Sequence, residues 1–221
     1  MKTIATATLF LLAFVSAAAQ AQTAAPTVGK DYIEISNGRP LDPAPAGTVV
    51  VEEFFNYICP ACNAFEPLFV AWAARQPNYV KVVHIPATFR ADFIPYAKAY
   101  YAAVSLKLEE KTHADVYKAI HIEHSLPAEG DKPSEERVAE FYAKYGVDAP
   151  TFLATMRSFA NDVKVRRGTE YMQRARVPST PTIVVNGRYL VRGDSYQDML
   201  RIASFLIEKE RAGSAGGGST N

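Results

Sequence analysis

The chain is short of cysteine, of net charge and of long apolar runs. Two of its 221 residues are cysteine, so at most one internal disulfide is available. A bridge between Cys59 and Cys62 closes so short a loop that it removes little entropy from the unfolded chain. Stapling is therefore a poor use of this pair, which leaves redox exchange or metal binding. Lys plus Arg number 24 against 23 Asp plus Glu, a balance without the basic excess that marks nucleic-acid binding. Beyond the N-terminal segment no stretch approaches the roughly 20 apolar residues that a membrane-spanning helix needs. Histidine is also scarce, with four residues and no second cysteine pair beside them to complete a zinc knuckle.

The first residues have the build of a cleavable secretory leader: Lys2, an apolar run from Leu9 to Val15, then small residues ending in Ala19-Gln20-Ala21. A membrane anchor is the alternative, but the apolar core is too short to span a bilayer. Residues 1–21 are read as a signal peptide and the mature chain as starting near Gln22. Removal of Lys2 with the leader leaves 23 basic and 23 acidic residues. What remains, roughly 200 residues, suffices for one core, or for one core with an inserted module.

Along the mature chain, Tyr32-Ile33-Glu34-Ile35 alternates like a short strand, and Asn37-Gly38 with Pro40, Pro43 and Pro45 makes a turn and connector. Val49 to Phe55 is β-branched and aromatic, as a strand buried on both faces would be. From Pro60 the period becomes helical, with Phe65, Leu68, Phe69, Trp72 and Ala73 on one stripe and Pro67 expected to kink it. A further strand is read at Val80 to Ile85. From about Ala91 to Val177 only helical stretches appear: Pro95 to Leu108, Ala114 to His124, Ser134 to Tyr145, and Ala149 to Arg176 with a break near Asn161. Strands resume at Thr182 to Val185, and Asn186-Gly187 before Arg188 to Val191 is a two-residue hairpin signal. Ser195 and Asp198 are spaced as a capping box for a last helix to Arg211. The Gly- and Ser-rich residues 212–221 are read as a flexible tail.

Cys59-Pro60-Ala61-Cys62 stands where a strand gives way to a helix. Disulfide exchange needs an attacking thiolate, a second thiol near enough to resolve the mixed disulfide, and a stabilised leaving sulfur. A Cys-x-x-Cys at a helix start supplies these, because unpaired N–H groups and the positive end of the helix dipole lower the first thiol's pKa. Cys59 is thus read as the attacking thiol and Cys62, one turn in, as the resolving one. Glu53 sits near the end of an apolar strand, where an unpaired carboxylate is costly. It is read as a proton relay for Cys62, against the plainer reading of an edge carboxylate paired with a lysine. Glu52 points to the opposite strand face and is assigned no role.

The runs Glu53-Phe54-Phe55-Asn56-Tyr57-Ile58-Cys59-Pro60-Ala61-Cys62 and Thr180-Pro181-Thr182-Ile183-Val184-Val185-Asn186-Gly187 resemble the DsbA-like periplasmic disulfide oxidoreductases of the thioredoxin superfamily. The likeness extends from about Asp31 to Arg211. It implies an α/β class, a thioredoxin-like fold with an inserted all-helical domain: 22–90 and 162–211 form the thioredoxin-like part, 91–161 the insertion. It implies that Pro181 is a cis-proline facing the cysteines, and that Thr180, Pro181, Pro60 and Ala61 contact substrate. The alternative for Pro178 and Pro181 is simply a rigid loop. The resemblance further implies a periplasmic location, unfolded or newly exported cysteine-containing polypeptides as substrates, and a quinone-linked, DsbB-like membrane protein as reoxidant. No cofactor, metal or nucleic acid is expected, and a monomer is. Ala61 departs from the family, which places histidine there, so Cys59 is expected to be less acidic than in a typical member.

Other readings stay open at this stage. A reductase or isomerase of the same fold would use the same cysteines, although no room precedes Tyr32 for the dimerisation domain of the isomerases. A peptide-binding or chaperone protein would use the groove without turnover. His121 and His124, one helical turn apart, could complete a Cys2His2 metal site with the cysteine pair. Tyr57, Ile58 and the Pro178 to Pro181 loop are expected to form an apolar rim that receives unfolded chains.

Overall fold

The computed structural model describes residues 24–216; the expected signal peptide at 1–21 lies outside the described residues. Five strands form one sheet: β1 (Tyr32–Glu34), β2 (Val49–Phe55), β3 (Val80–Pro86), β4 (Thr182–Val185) and β5 (Tyr189–Val191), in the order β1-β5-β4-β2-β3. β2 pairs parallel with β3 and antiparallel with β4, so it has neighbours on both sides. All seven of its residues are buried, which explains why its sequence does not alternate polar and apolar.

Among the described residues seven α-helices surround the sheet: α1 (Pro60–Ala73), α2 (Ile94–Ser105), α3 (Glu109–His121), α4 (Glu135–Tyr142), α5 (Ala149–Met156), α6 (Phe159–Arg174) and α7 (Tyr196–Gly216). On one face Val49, Val51, Ile183 and Val185 pack with Phe65, Phe69 and Trp72 of α1 and Ile202, Ala203 and Leu206 of α7. On the other, Phe54, Val184 and Leu190 join a larger core with Tyr171 of α6 and the apolar faces of α2 to α5. Each fully buried aromatic in these layers contributes roughly 1.5–3 kcal/mol. This is the expected α/β, thioredoxin-like arrangement with its helical insertion.

The element ends follow local chemistry. Ser134 caps α4 by accepting from the Arg137 N–H at 3.2 Å, and Ser195 Oγ accepts from the Asp198 N–H at 3.1 Å. Asn186 and Gly187 both have positive φ, 54° and 66°, as a type I′ hairpin requires. A Cβ on Gly187 would lie 2.0 Å from the Arg39 carbonyl carbon, so the same glycine lets the connector cross the hairpin.

Some boundaries differ from the sequence reading. α3 begins five residues before Ala114, because Glu109 and Glu110 favour a helix N-terminus. The break in the long helical stretch falls before Asn161, where Ser158 accepts from the Asn161 N–H at 3.2 Å and starts a new helix. α1 runs through Pro67, whose position is exposed. α7 continues to Gly216, past Ala212 where a tail is expected.

Glu52 is buried as deeply as its neighbour Glu53. It is tied to two elements: Tyr171 of α6 donates its hydroxyl to Oε2, and the Leu41 N–H donates to Oε1 at 2.7 Å. Burial pushes this carboxyl up from 4.5 to about 7, against the opposing pull of those two donors. Between pH 4.5 and about 7 the folded protein therefore holds a proton that the unfolded chain has lost, so this group's contribution to stability falls as pH rises through that window. Glu52→Gln is expected to flatten the decline by up to about 3 kcal/mol, read from urea midpoints across the window; an unchanged slope would show that Glu52 does not titrate there.

Candidate active site

The path from sheet to site is short. β2 ends at Phe55, and Asn56 turns the chain: its side-chain amide donates to the Ala87 and Phe93 carbonyls at 2.9 and 3.2 Å, while its Oδ1 accepts from the Ile58 N–H at 3.2 Å. The Cys59 N–H then donates to the Asn56 carbonyl at 3.1 Å. Cys59 is the N-cap of α1, with Pro60 in the first turn where no N–H is needed. Both thiols are free, and the Cys62 N–H donates to Cys59 Sγ at 3.4 Å.

Opposite α1, the Thr180-Pro181 peptide bond is cis, and Cys59 Sγ lies 3.6 Å from the Thr180 carbonyl, to which the thiol donates. Pro60, Pro178 and Ser179 are exposed, and Ala61, Thr180 and Pro181 are half-buried. Tyr196 of α7 donates its hydroxyl to the Ala61 carbonyl at 3.1 Å. The expected rim is corrected in one respect: Tyr57 and Ile58 are fully buried. Tyr57 is drawn inward because its ring packs among Phe55, Tyr96, Tyr100 and Tyr117, and its hydroxyl meets His113 Nδ1 at 2.8 Å.

The two thiols have opposite electrostatics. Cys59 is lowered from 9.0 to about 6, first by the Cys62 thiol donating to it, and further by Thr180 and the N–H groups of Ala61 and Cys62, with burial opposing. Cys62 is held far above the ordinary thiol range by burial, by its bond to Cys59 and by the Cys59 charge. The Cys62 thiol, Thr180 and the N–H groups of the helix start thus depress the first thiol without a histidine at position 61.

Beneath the thiols lies a cluster that the sequence reading only partly found. Glu53 is fully buried between β3 and β4, in register with His84 and Ile183, so it is no edge carboxylate. Its partner is also no lysine: Glu53 Oε2 faces His84 Nε2 at 3.4 Å. Burial raises Glu53 well above the ordinary carboxylate range, with the nearby Glu66 and Cys59 adding to it. His84 is pushed down to about 3, by burial and then by His113. Glu66 of α1 faces His113 Nε2 at 3.4 Å, and Glu109 lies 3.8 Å from the Nδ1 atoms of both His84 and His113. Two signals could have exposed this cluster. Glu66 is four residues after Cys62 on the buried helix stripe, and His84 follows Val80 and Val82 on one strand face.

Glu66, His84 and His113 offer donor atoms within 4.8 Å of one another. Each imidazole is turned to a carboxylate, however, which is the arrangement of proton-sharing pairs. His121 does not join the cysteines: its Nε2 bonds the Tyr57 carbonyl at 2.7 Å, steadying the loop before Cys59. His124 is exposed with positive φ, beyond the end of α3.

Titration of the reduced protein is expected to show one thiolate appearing near pH 6 in the absorbance at 240 nm, with Cys62 silent. Ala61→His places a cation beside Cys59 and should move that midpoint lower; a midpoint near 9 in the parent protein would contradict the assigned electrostatics.

Residues 50–203 match the family model described as the DSBA-like thioredoxin domain. The chain is 32% identical over 213 residues to the thiol:disulfide interchange protein DsbA of Burkholderia cepacia, covering 95% of this chain and 97% of that one. It is 35% identical over 212 residues to the protein of the same name from Pseudomonas aeruginosa, covering 95% and 96%. Among solved structures, the oxidoreductase DsbA from Xylella fastidiosa superposes with a TM-score of 0.80 at 41% identity, over 85% of this chain and 98% of that one. The P. aeruginosa DsbA structure gives 0.76 at 35%, over 86% and 97%. With its paired thiols at the head of α1, a cis-proline opposite and relatives matched over nearly their whole length, the chain belongs to the DsbA-like family and is a disulfide-forming thiol:disulfide oxidoreductase.

Proposed function

We propose that the oxidised protein donates its Cys59-Cys62 disulfide to cysteine-containing polypeptides, with Cys59 as the exchanging sulfur, Cys62 as the resolving one and Glu53 as the acid that serves Cys62. The observation that carries this reading is the inequality of the two thiols, one near 6 and the other far above the usual range.

In the first step a substrate thiolate attacks Cys59 Sγ. The Cys59–Cys62 bond breaks, its electron pair goes to Cys62, and a mixed disulfide forms between substrate and Cys59. Cys62 is buried and resists carrying charge, so it takes the proton of Glu53, whose raised pKa favours the protonated acid. A second substrate thiolate then attacks the substrate sulfur of the mixed disulfide. Cys59 departs as a thiolate, and its low pKa makes it a good leaving group. The substrate gains one disulfide and the protein becomes a dithiol. Thr180, Pro181, Pro60 and Ala61 border Cys59 as the exposed or half-buried surface, and they are the residues proposed to hold the substrate backbone during exchange.

The same reading proposes that residues 1–21 direct the chain to the periplasm, that its substrates are unfolded or newly exported, that it acts as a monomer and that a DsbB-like quinone-linked membrane protein restores the disulfide. Among the described residues no helix is long and apolar enough to cross a membrane. Retention of the inequality between the thiols favours a donor over a chaperone, which needs neither cysteine.

The test uses a dithiol peptide and the oxidised protein. The parent should convert the peptide to its disulfide within a single turnover. Cys59→Ser should abolish transfer, and Cys62→Ser, offered the disulfide form of the peptide, should attack it through the Cys59 thiolate and hold it as a mixed disulfide seen by mass spectrometry. Trapping through Cys62 in Cys59→Ser instead, or full transfer by either variant, would overturn the assigned roles.

A further inference from the structure

The proton that Glu53 gives to Cys62 must be replaced from outside, and Glu53 itself is fully buried. The titratable groups around it come from every packed element: Glu66 and the two cysteines from α1 and its N-cap, His84 from β3, Tyr100 from α2 and Tyr117 from α3. Its two oxygens have no hydrogen-bond partner, and neither has His84 Nε2, 3.4 Å away. A shift of about half an ångström makes that contact a hydrogen bond. The other ring nitrogen of His84 faces Glu109 Oε1 at 3.8 Å. The side chains of His84 and Glu109 are 18% and 23% exposed, so the series runs from the interior to the surface.

The second imidazole is differently placed. His113 also stands 3.8 Å from Glu109, but its Nδ1 is held by the Tyr57 hydroxyl at 2.8 Å and its ring is enclosed by Phe55, Tyr57, Tyr100 and Tyr117. It lies against His84 with centroids 4.7 Å apart. Of the two imidazoles, only His84 joins Glu53 at one nitrogen and a partly exposed carboxylate at the other.

Resting on the proposed role of Glu53, we propose that His84 is the positioning residue that conducts protons between Glu53 and Glu109, and thereby between Cys62 and solvent, during each half of the redox cycle. When the disulfide opens, Cys62 takes the Glu53 proton. His84 passes its Nε2 proton to Glu53 while Nδ1 takes the proton of Glu109, and Glu109 recovers one from water. The ring is left as the other neutral tautomer. When the disulfide is formed again, the sequence reverses. Glu53 returns its proton to Nε2, Nδ1 gives its proton to Glu109 and on to water, and Glu53 accepts the proton of the Cys62 thiol. Each full cycle restores the starting tautomer without a ring flip and without forming an imidazolium. The strong downward shift of His84 fits a ring that stays neutral throughout.

The experiment measures the single-turnover rate of disulfide reduction by a dithiol peptide between pH 5.5 and 8.5, in full-length His84→Ala, His84→Phe and Glu53→Gln. His84→Ala is expected to slow about tenfold or more, within the range of lost proton-transfer catalysis, with the deficit growing as pH rises. Millimolar imidazole should restore much of the rate by entering the space left at this partly exposed site. His84→Phe fills that space, so it should be equally slow and unrescued, and the Cys59 titration should be unchanged in both. Parent-like rates in both His84 variants, or slowing that is independent of pH and imidazole, would overturn the relay. Slow Glu53→Gln with parent-like His84 variants would sink the relay and leave the acid role standing; a parent-like Glu53→Gln would sink the acid role as well. If neither alanine nor phenylalanine folds, His84→Gln tests the same prediction through its pH profile. A stoichiometric divalent ion found in the purified parent would also refute the relay, since it would occupy the ring nitrogens.

Discussion

A thiolate at the mouth of α1 and an uncharged thiol one turn deeper are held unequal by the junction of β2 with α1, and the surrounding structure is organised about that inequality. The N-cap position gives Cys59 the free N–H groups of the first turn and the donated Cys62 thiol. The burial of Cys62 in the core denies it a charge. Reduction is favoured when one product sulfur is a stable thiolate, so the same asymmetry makes the disulfide a willing donor. The gain, after allowance for solvent at the mouth of the helix, is of the order of tens of millivolts.

Adjacent carboxyls on β2 show how strand alternation divides labour. Glu52 and Glu53 are both buried, yet they face opposite sides of the sheet. Glu52 has two donors and joins α6 and the connector at Leu41 to the sheet. Glu53 has none and opposes an imidazole instead. A satisfied buried carboxylate fixes structure, whereas an unsatisfied one stores a readily exchanged proton. Position along the strand, rather than residue type, separates the two.

Much of this was legible in the sequence because it is local. The hairpin at Asn186-Gly187, the caps at Ser134 and Ser195, the uninterrupted apolar β2 and the cysteine spacing each act within a few residues. The α/β class and the helical insertion follow from the order of those signals. What escaped notice depends on contacts remote in sequence. Glu66, His84, Glu109 and His113 come from three elements and meet only because the insertion folds over the end of the sheet. Tyr57 was expected at the surface because it adjoins the reactive loop, but an aromatic pocket supplied by α2 and α3 draws it in. Glu52 was set aside because the hydroxyl that satisfies it lies over a hundred residues away, on α6.

The central claim, that the pair is poised to give its disulfide away even with alanine at position 61, is tested most directly by its reduction potential. Equilibration in glutathione buffers, followed by the fluorescence of the sole tryptophan, Trp72, or by thiol alkylation, should give a value well above the roughly −270 mV of thioredoxin. A potential at or below that of thioredoxin would contradict the account and place the protein among reductases.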